Sequence, residues 1–277
     1  LAADEMEGRG TMQPGGDKAA KWLADKFKEL GLKPLGDEGG YLQSINFKET
    51  RMASDSTFKI GESAFKLGKE YGFTPLPFEK SEKNILADTV FVGYGMQAFN
   101  PGSGGDWLKT IRGKVVVYIN GPPASFDKDR WEKMNGQSLM FQSLAVAGAK
   151  ALVVVGHGRE GDEIDTYVDY FGRRQVALAD EKASQAPFPI PPMIMIKRKA
   201  AEKLFSKSGV AFKVAMANAE KKDFTPIDLK QKATIVEKYQ SAEGKSSNVV
   251  GYLEGSDPNL KAEAVLFSAH YDAYGLE

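Results

Sequence analysis

Of all the residue pairs in this sequence, His270 and Asp272, in the run His270-Tyr271-Asp272, are the best suited to hold a metal ion. A neutral imidazole nitrogen is a zinc ligand at physiological pH. A carboxylate on the other ring nitrogen fixes the tautomer and raises the basicity of the ligand atom. In a strand, side chains two apart leave the same face, so this spacing lets Asp272 reach the His270 nitrogen turned away from the metal. The pair follows Ala264–Ala269, a continuous apolar run of the buried-strand kind. The carboxyl end of a strand is also where open α/β sheets place their sites. By itself, H-x-D occurs often by chance. The other histidine, His157, lies in a glycine-rich loop and reads as a surface residue.

These residues need a scaffold, and 277 residues suffice for one large or two ordinary domains. Hydrophobic residues at 42 % and charged residues at 27 % describe a globular chain. Lys plus Arg equals Asp plus Glu at 37 each, so no basic field invites nucleic acid or acidic lipid. Cysteine is absent, which excludes disulfides and cysteine-ligated zinc. The longest apolar runs are strand-length, so no membrane span is expected, and no signal-peptide pattern is visible.

A helix is predicted over Asp17–Leu30, where Ala20, Leu23, Ala24, Phe27 and Leu30 form one stripe. Asp17 suits its N-cap, Gly31 a left-handed C-cap, and Pro34 prevents continuation. Residues 53–222 read as short strands with few helices: strands at Thr89–Gly93, Val115–Ile119, Ala151–Val155 and Met193–Ile196, helices near Ser138–Ala147 and Lys197–Phe205. Asn100–Asp106 and the proline-rich Ala186–Pro192 read as loops. Ala233–Tyr239 and Val249–Leu253 look like paired strands. The expected organisation is a discontinuous α/β domain, 1–52 plus 223–277, interrupted by a β-rich insert at 53–222.

Three stretches, in order, resemble one family. Leu1-Ala2-Ala3-Asp4-Glu5-Met6-Glu7-Gly8-Arg9-Gly10-Thr11, with Pro14-Gly15-Gly16 and the helix ending Leu30-Gly31-Leu32, is similar to the start of the co-catalytic zinc exopeptidases, the bacterial aminopeptidases and glutamate carboxypeptidases. Phe91-Val92-Gly93-Tyr94-Gly95, Ile111–Val117 and Ala147–Ala151 resemble the protease-associated domain inserted in many members. Ser247–Asp257 through Asp272 resembles the run into the first metal ligand.

The resemblance implies a zinc-exopeptidase mixed sheet with helices, a peptide substrate, and a secreted or periplasmic protein. His270 corresponds to a histidine that binds one of two zinc ions, and Asp272 to the catalytic-site carboxylate that orients it. The bridging Asp, paired glutamates, further acid and second histidine of the family are expected beyond Glu277. The chain is thus expected to be the N-terminal portion of a di-zinc aminopeptidase, holding no tightly bound zinc alone. Two zinc ions roughly 3.5–4 Å apart would activate a bridging water and polarise the scissile carbonyl. Aminopeptidase against carboxypeptidase stays open. So does a binding protein of the same arrangement, as in the transferrin receptor ectodomain.

Two further patterns compete for notice. Gly156-His157-Gly158-Arg159-Glu160-Gly161 matches G-x-G-x-x-G after an apolar run, with Ile164, Tyr167, Val168 and Phe171 as a helical stripe and Asp180 where a ribose-binding acid would sit. The acids Glu160, Asp162 and Glu163 stand where pyrophosphate would bind, so a surface loop is expected instead. Tyr167, Tyr170, Arg173 and Arg174 suit either a substrate cleft or a solvated face, the latter being commoner.

Overall fold

The structure, a computed structural model, describes residues 1–74, 81–99, 104–171, 174–181 and 190–276. It is a mixed α/β chain of two compact units: Leu1–Thr50 with Gln175–Lys182 and Ser241–Glu277, and Arg51–Arg174 with Ala183–Gln240.

In the first unit, helix α1 spans Pro14–Glu29. It starts three residues before Asp17 because Pro14 fits the first turn, where its missing N–H costs no hydrogen bond. Gly15, Gly16, Ala19 and Ala20 form its buried face, whereas Leu30 is exposed. Gly31 closes the helix in the left-handed region at φ +76, with Leu32 N donating to Phe27 O (3.0 Å) and Gly31 N to Lys28 O (3.0 Å). Both contacts satisfy carbonyls that the helix end leaves open. Strand β1 (Lys33–Pro34) pairs antiparallel with β12 (Gly251–Tyr252), and β2 (Leu42–Met52) with β9 (Gln175–Leu178). Val249–Leu253 therefore pairs back to the residues after α1, not to Ala233–Tyr239.

The second unit holds β3 (Thr57–Ile60), β4 (Ser63–Ala64), β5 (Tyr71–Phe73), β6 (Ser81–Phe91), β7 (Val115–Ile119), β8 (Ala151–Val155) and β10 (Met193–Ile196). With the first part of β11 (Ile227–Val249), the order is β4-β3-β11-β6-β7-β8-β10-β5. The run β6-β7-β8-β10 is parallel and its neighbours on either side are antiparallel.

The central strands read as unbroken apolar runs because both faces are covered. Val115, Val117, Ile119, Val153 and Val155 enter one core cluster with Phe91, Leu204 and Phe212. Val116, Tyr118, Leu152 and Val154 enter the other with Ile111, Met140, Leu144, Ile164 and Val168. Each such side chain contributes about 1.5–3 kcal/mol on burial.

This unit carries more helix than its sequence suggests. Besides α4 (Gly136–Val146) and α6 (Arg198–Ala201, continued by a 3₁₀ turn at Glu202–Phe205), there are α2 (Gly104–Ile111), α3 (Lys128–Lys133), α5 (Ile164–Phe171) and α7 (Phe212–Ala219). Gly104–Asp106, expected in a loop, begins α2. Helices α2 to α5 lie between successive strands of the parallel run, which need crossovers rather than tight turns. Pro187 and Pro189 lie outside the described residues. Among the described residues, no helix is long and apolar enough to cross a membrane.

Candidate functional site

His270 and Asp272 are not preceded by a buried strand. Ala264–Ala269 pairs with no strand among the described residues, and Val265, Leu266 and Phe267 are 83 %, 87 % and 91 % exposed. An apolar run enters a sheet only where a neighbouring strand takes its N–H and C=O groups, and none lies beside it.

What holds the His-x-Asp segment is the chain around Arg9. Arg9 Nε donates to Tyr271 O (2.6 Å) and its Nη1 to Leu1 O (2.5 Å). Ala273 N donates to Arg9 O (3.1 Å) and Gly275 N to Gly8 O (3.0 Å), so the two segments run parallel at the bridge between Gly10 and Ala273. Gln13 acts as a side-chain clamp: its Nε2 donates to Leu276 O (2.8 Å) while its Oε1 accepts from Leu276 N (2.9 Å). The Tyr271 hydroxyl donates to Ser247 O, and burial pushes that phenol's pKa up.

Arg9 and Met12 adopt left-handed φ of +54 and +60. Such backbone costs non-glycine residues about 1–2 kcal/mol each. None of Arg9, Thr11 or Gln13 shows periodicity; the likeness of the opening segment to the exopeptidases takes in Arg9 and Thr11 but not Gln13.

Within the motif, His270 Nδ1 lies 3.0 Å from the backbone oxygen of Asp272 and 3.6 Å from Asp272 Oδ1. The carbonyl, rather than the carboxylate, is thus within hydrogen-bond reach of Nδ1. The Asp272 carboxylate instead accepts from Thr11 Oγ1 at 3.1 Å. A proton on Nδ1 suits this contact and would leave Nε2 as the ligand atom, on a side chain that is 88 % exposed. One imidazole and one carboxylate fall short of the three or four ligands of a zinc centre. Among the described residues no group of three or more His, Asp or Glu gathers around a common point. The residues present do not complete a zinc site.

The glycine loop of the second unit is closed by its own acid. Asp162 Oδ2 accepts from Gly158 N (2.5 Å) and Asp162 Oδ1 from Ile164 N (3.3 Å). A carboxylate thus occupies the amides that would face a diphosphate. His157 is not a plain surface residue. It is partly buried, its Nδ1 accepts from Arg159 N (3.0 Å), and burial lowers its pKa. Arg159 beside it donates to Glu220 Oε1 (2.8 Å), the Tyr94 hydroxyl (2.7 Å) and Pro122 O (2.6 Å). Ala124 N donates to Glu220 Oε2 (2.8 Å). These contacts tie together the loops after β6, β7 and β8. Tyr167 donates to Glu163 one helical turn away (2.7 Å), while Arg173 and the side chain of Tyr170 lie outside the described residues.

No family model and no curated protein matches the chain. Two solved structures of BSAP, a zinc aminopeptidase from Bacillus subtilis, are similar to it at 14 % identity. Their TM-scores are 0.43 and 0.41, with 92 % and 90 % of this chain covered. The chain spans 45 % and 43 % of their lengths, less than half of each.

Proposed function

We propose that this chain is the N-terminal portion of an exported di-zinc aminopeptidase acting on peptides, interrupted by a protease-associated domain, with His270 as a zinc ligand. The observation that carries the proposal is the contact of the His270 ring with the backbone of its own motif. His270 Nδ1 lies 3.0 Å from Asp272 O, and Nε2 would be the ligand atom. The order of the sequence stretches that resemble the exopeptidases supports it too. Asp272, bonded to Thr11, positions the segment, and Arg9 and Gln13 hold that segment against the start of α1. By the family resemblance, the remaining ligands would come from residues that follow this motif.

The test is metal analysis and turnover of a protein extended through those residues. It should bind zinc stoichiometrically and release p-nitroaniline from an aminoacyl p-nitroanilide. His270→Ala should remove most of that activity, and Asp272→Asn should lower affinity or turnover about 10–100-fold. Unchanged metal content and turnover in His270→Ala would overturn the assignment.

A further inference from the structure

Glu237 is the one fully buried carboxylate among the described residues. It lies on β11, where Ala233, Ile235, Glu237 and Tyr239 alternate into the core beside Phe58, Ile60 and Tyr71. Both its oxygens lack a hydrogen-bond partner. The neighbouring Tyr239 hydroxyl donates to Thr74 O (2.9 Å) and also acts on the carboxylate, favouring its ionised form. On β6, Lys83 stands in register with Glu237, but its Nζ stops 3.9 Å from Oε2, beyond hydrogen-bond reach, on a side chain 37 % exposed.

The groups around it on the described elements are otherwise neutral. Ser56, ahead of β3, accepts from Lys238 N with its hydroxyl (3.1 Å), and the Tyr71 phenol of β5 donates to Ser56 O (3.2 Å). The charged Lys238 leaves β11 on the opposite face, where it meets Asp55 (2.8 Å) and Glu82 (3.8 Å). Lys83 is therefore the single counter-charge near Glu237 among the described residues.

We propose that Glu237 is a pH-sensitive latch for the end of the β6–β11 ladder, closed when the carboxyl is protonated and loosened when it ionises. A neutral carboxyl tolerates an apolar site, whereas a buried carboxylate needs a bonded partner or water. Water reaches it when the register Lys83–Glu237 and Ser81–Tyr239 opens. Burial raises the Glu237 pKa to about 7, with Lys83 and the Tyr239 hydroxyl pulling the other way. The unfolded carboxyl titrates near 4.5. The folded state therefore binds the proton more tightly, and this contribution to stability is complete below about pH 4.5. It falls as pH rises to about 7 and does not change above that, a loss of about three-hundredfold in the folding equilibrium.

Urea midpoints from pH 5 to 8.5, with native-state amide exchange corrected for intrinsic rates, test this on the whole chain. The parent should lose stability as pH rises, and amides of Lys83 and Glu237–Tyr239 should lose protection ahead of β7 and β8. Glu237→Gln should be more stable than the parent at pH 8 and should flatten the slope. Lys83→Met, which removes the counter-charge, should be destabilised at pH 8 and unaffected at pH 5, and it decides the matter if Glu237→Gln does not fold. The same pH slope in the parent and Glu237→Gln, or a Lys83→Met effect equal at both pH values, would overturn the proposal.

Discussion

The Thr11 hydroxyl donates to the Asp272 carboxylate across 3.1 Å, joining residues 261 positions apart. Thr11→Val keeps the shape and removes the donor. Because the Asp272 side chain is half exposed, water replaces the lost contact and the cost should be about 0.5–1.5 kcal/mol. Arg9→Met removes the donors to Tyr271 O and Leu1 O and should cost about 1–3 kcal/mol. Since both act on one segment, the double variant should fall short of the sum. Urea midpoints at constant m-value check all three, and strict additivity would mean the segment is not held as a unit.

Gly16→Ala tests the packing of α1 on the turn before it. A Cβ on Gly16 would sit 2.5 Å from Gly10 O, a backbone atom that cannot swing aside. Alanine gains about 1 kcal/mol in helix propensity, but overpacking costs about 1–3 kcal/mol. The net should be a loss in thermal midpoint. A gain would place α1 further from Gly10 than the structure has it.

Removing the carboxylate that fills the glycine loop should create an anion site. In Asp162→Gly, the amides of Gly158 and Ile164 lose their acceptor, and the variant should be destabilised by about 1–3 kcal/mol. Millimolar sulfate should then raise its melting temperature more than the parent's. Calorimetry on the parent should show no NAD or NADP binding, and micromolar binding abolished by Gly158→Val would contradict this reading of the loop.

The exposure of Phe267 gives a clean contrast. A buried phenylalanine replaced by aspartate would cost more than about 3 kcal/mol, whereas at 91 % exposure Phe267→Asp should shift stability by no more than about 0.5 kcal/mol. Binding of a hydrophobic dye, and light scattering at high protein concentration, should both fall in the variant. A large loss of stability would show that Val265–Phe267 is covered in solution.

The parts of the fold that declare themselves in the sequence are those with one local cause. Helix α1, Pro14–Glu29, follows from apolar residues at helical spacing and the left-handed Gly31 after it. Strands Val115–Ile119, Ala151–Val155 and Met193–Ile196 follow from burial on both faces. Ala264–Ala269 has the same composition as those strands yet is exposed, because an apolar run encodes a wish for burial and not the neighbour that satisfies it. Helices α2, α3 and α7 are short, at eight, six and eight residues. At the site, His270 and Asp272 stand out by type and spacing. The contacts that fix them come from Arg9, Thr11 and Gln13, whose partners are more than 250 residues away in sequence and leave no local pattern. Glu237 is equally silent: its neighbours Val236 and Lys238 look like any alternating strand, and only the cross-strand register shows how little surrounds its charge.

The first unit draws on both Leu1–Thr50 and Ser241–Glu277, and this sets an order of events on the ribosome. At about 5–20 residues per second, Arg9 emerges on the order of ten seconds or more before Tyr271 exists to accept its proton. The intervening Arg51–Gln240 stretch, which contains the whole of the second unit, can condense in that interval. Nascent chains halted near residue 245 should therefore resist protease across β7 and β8 while Leu1–Gln13 is still cut.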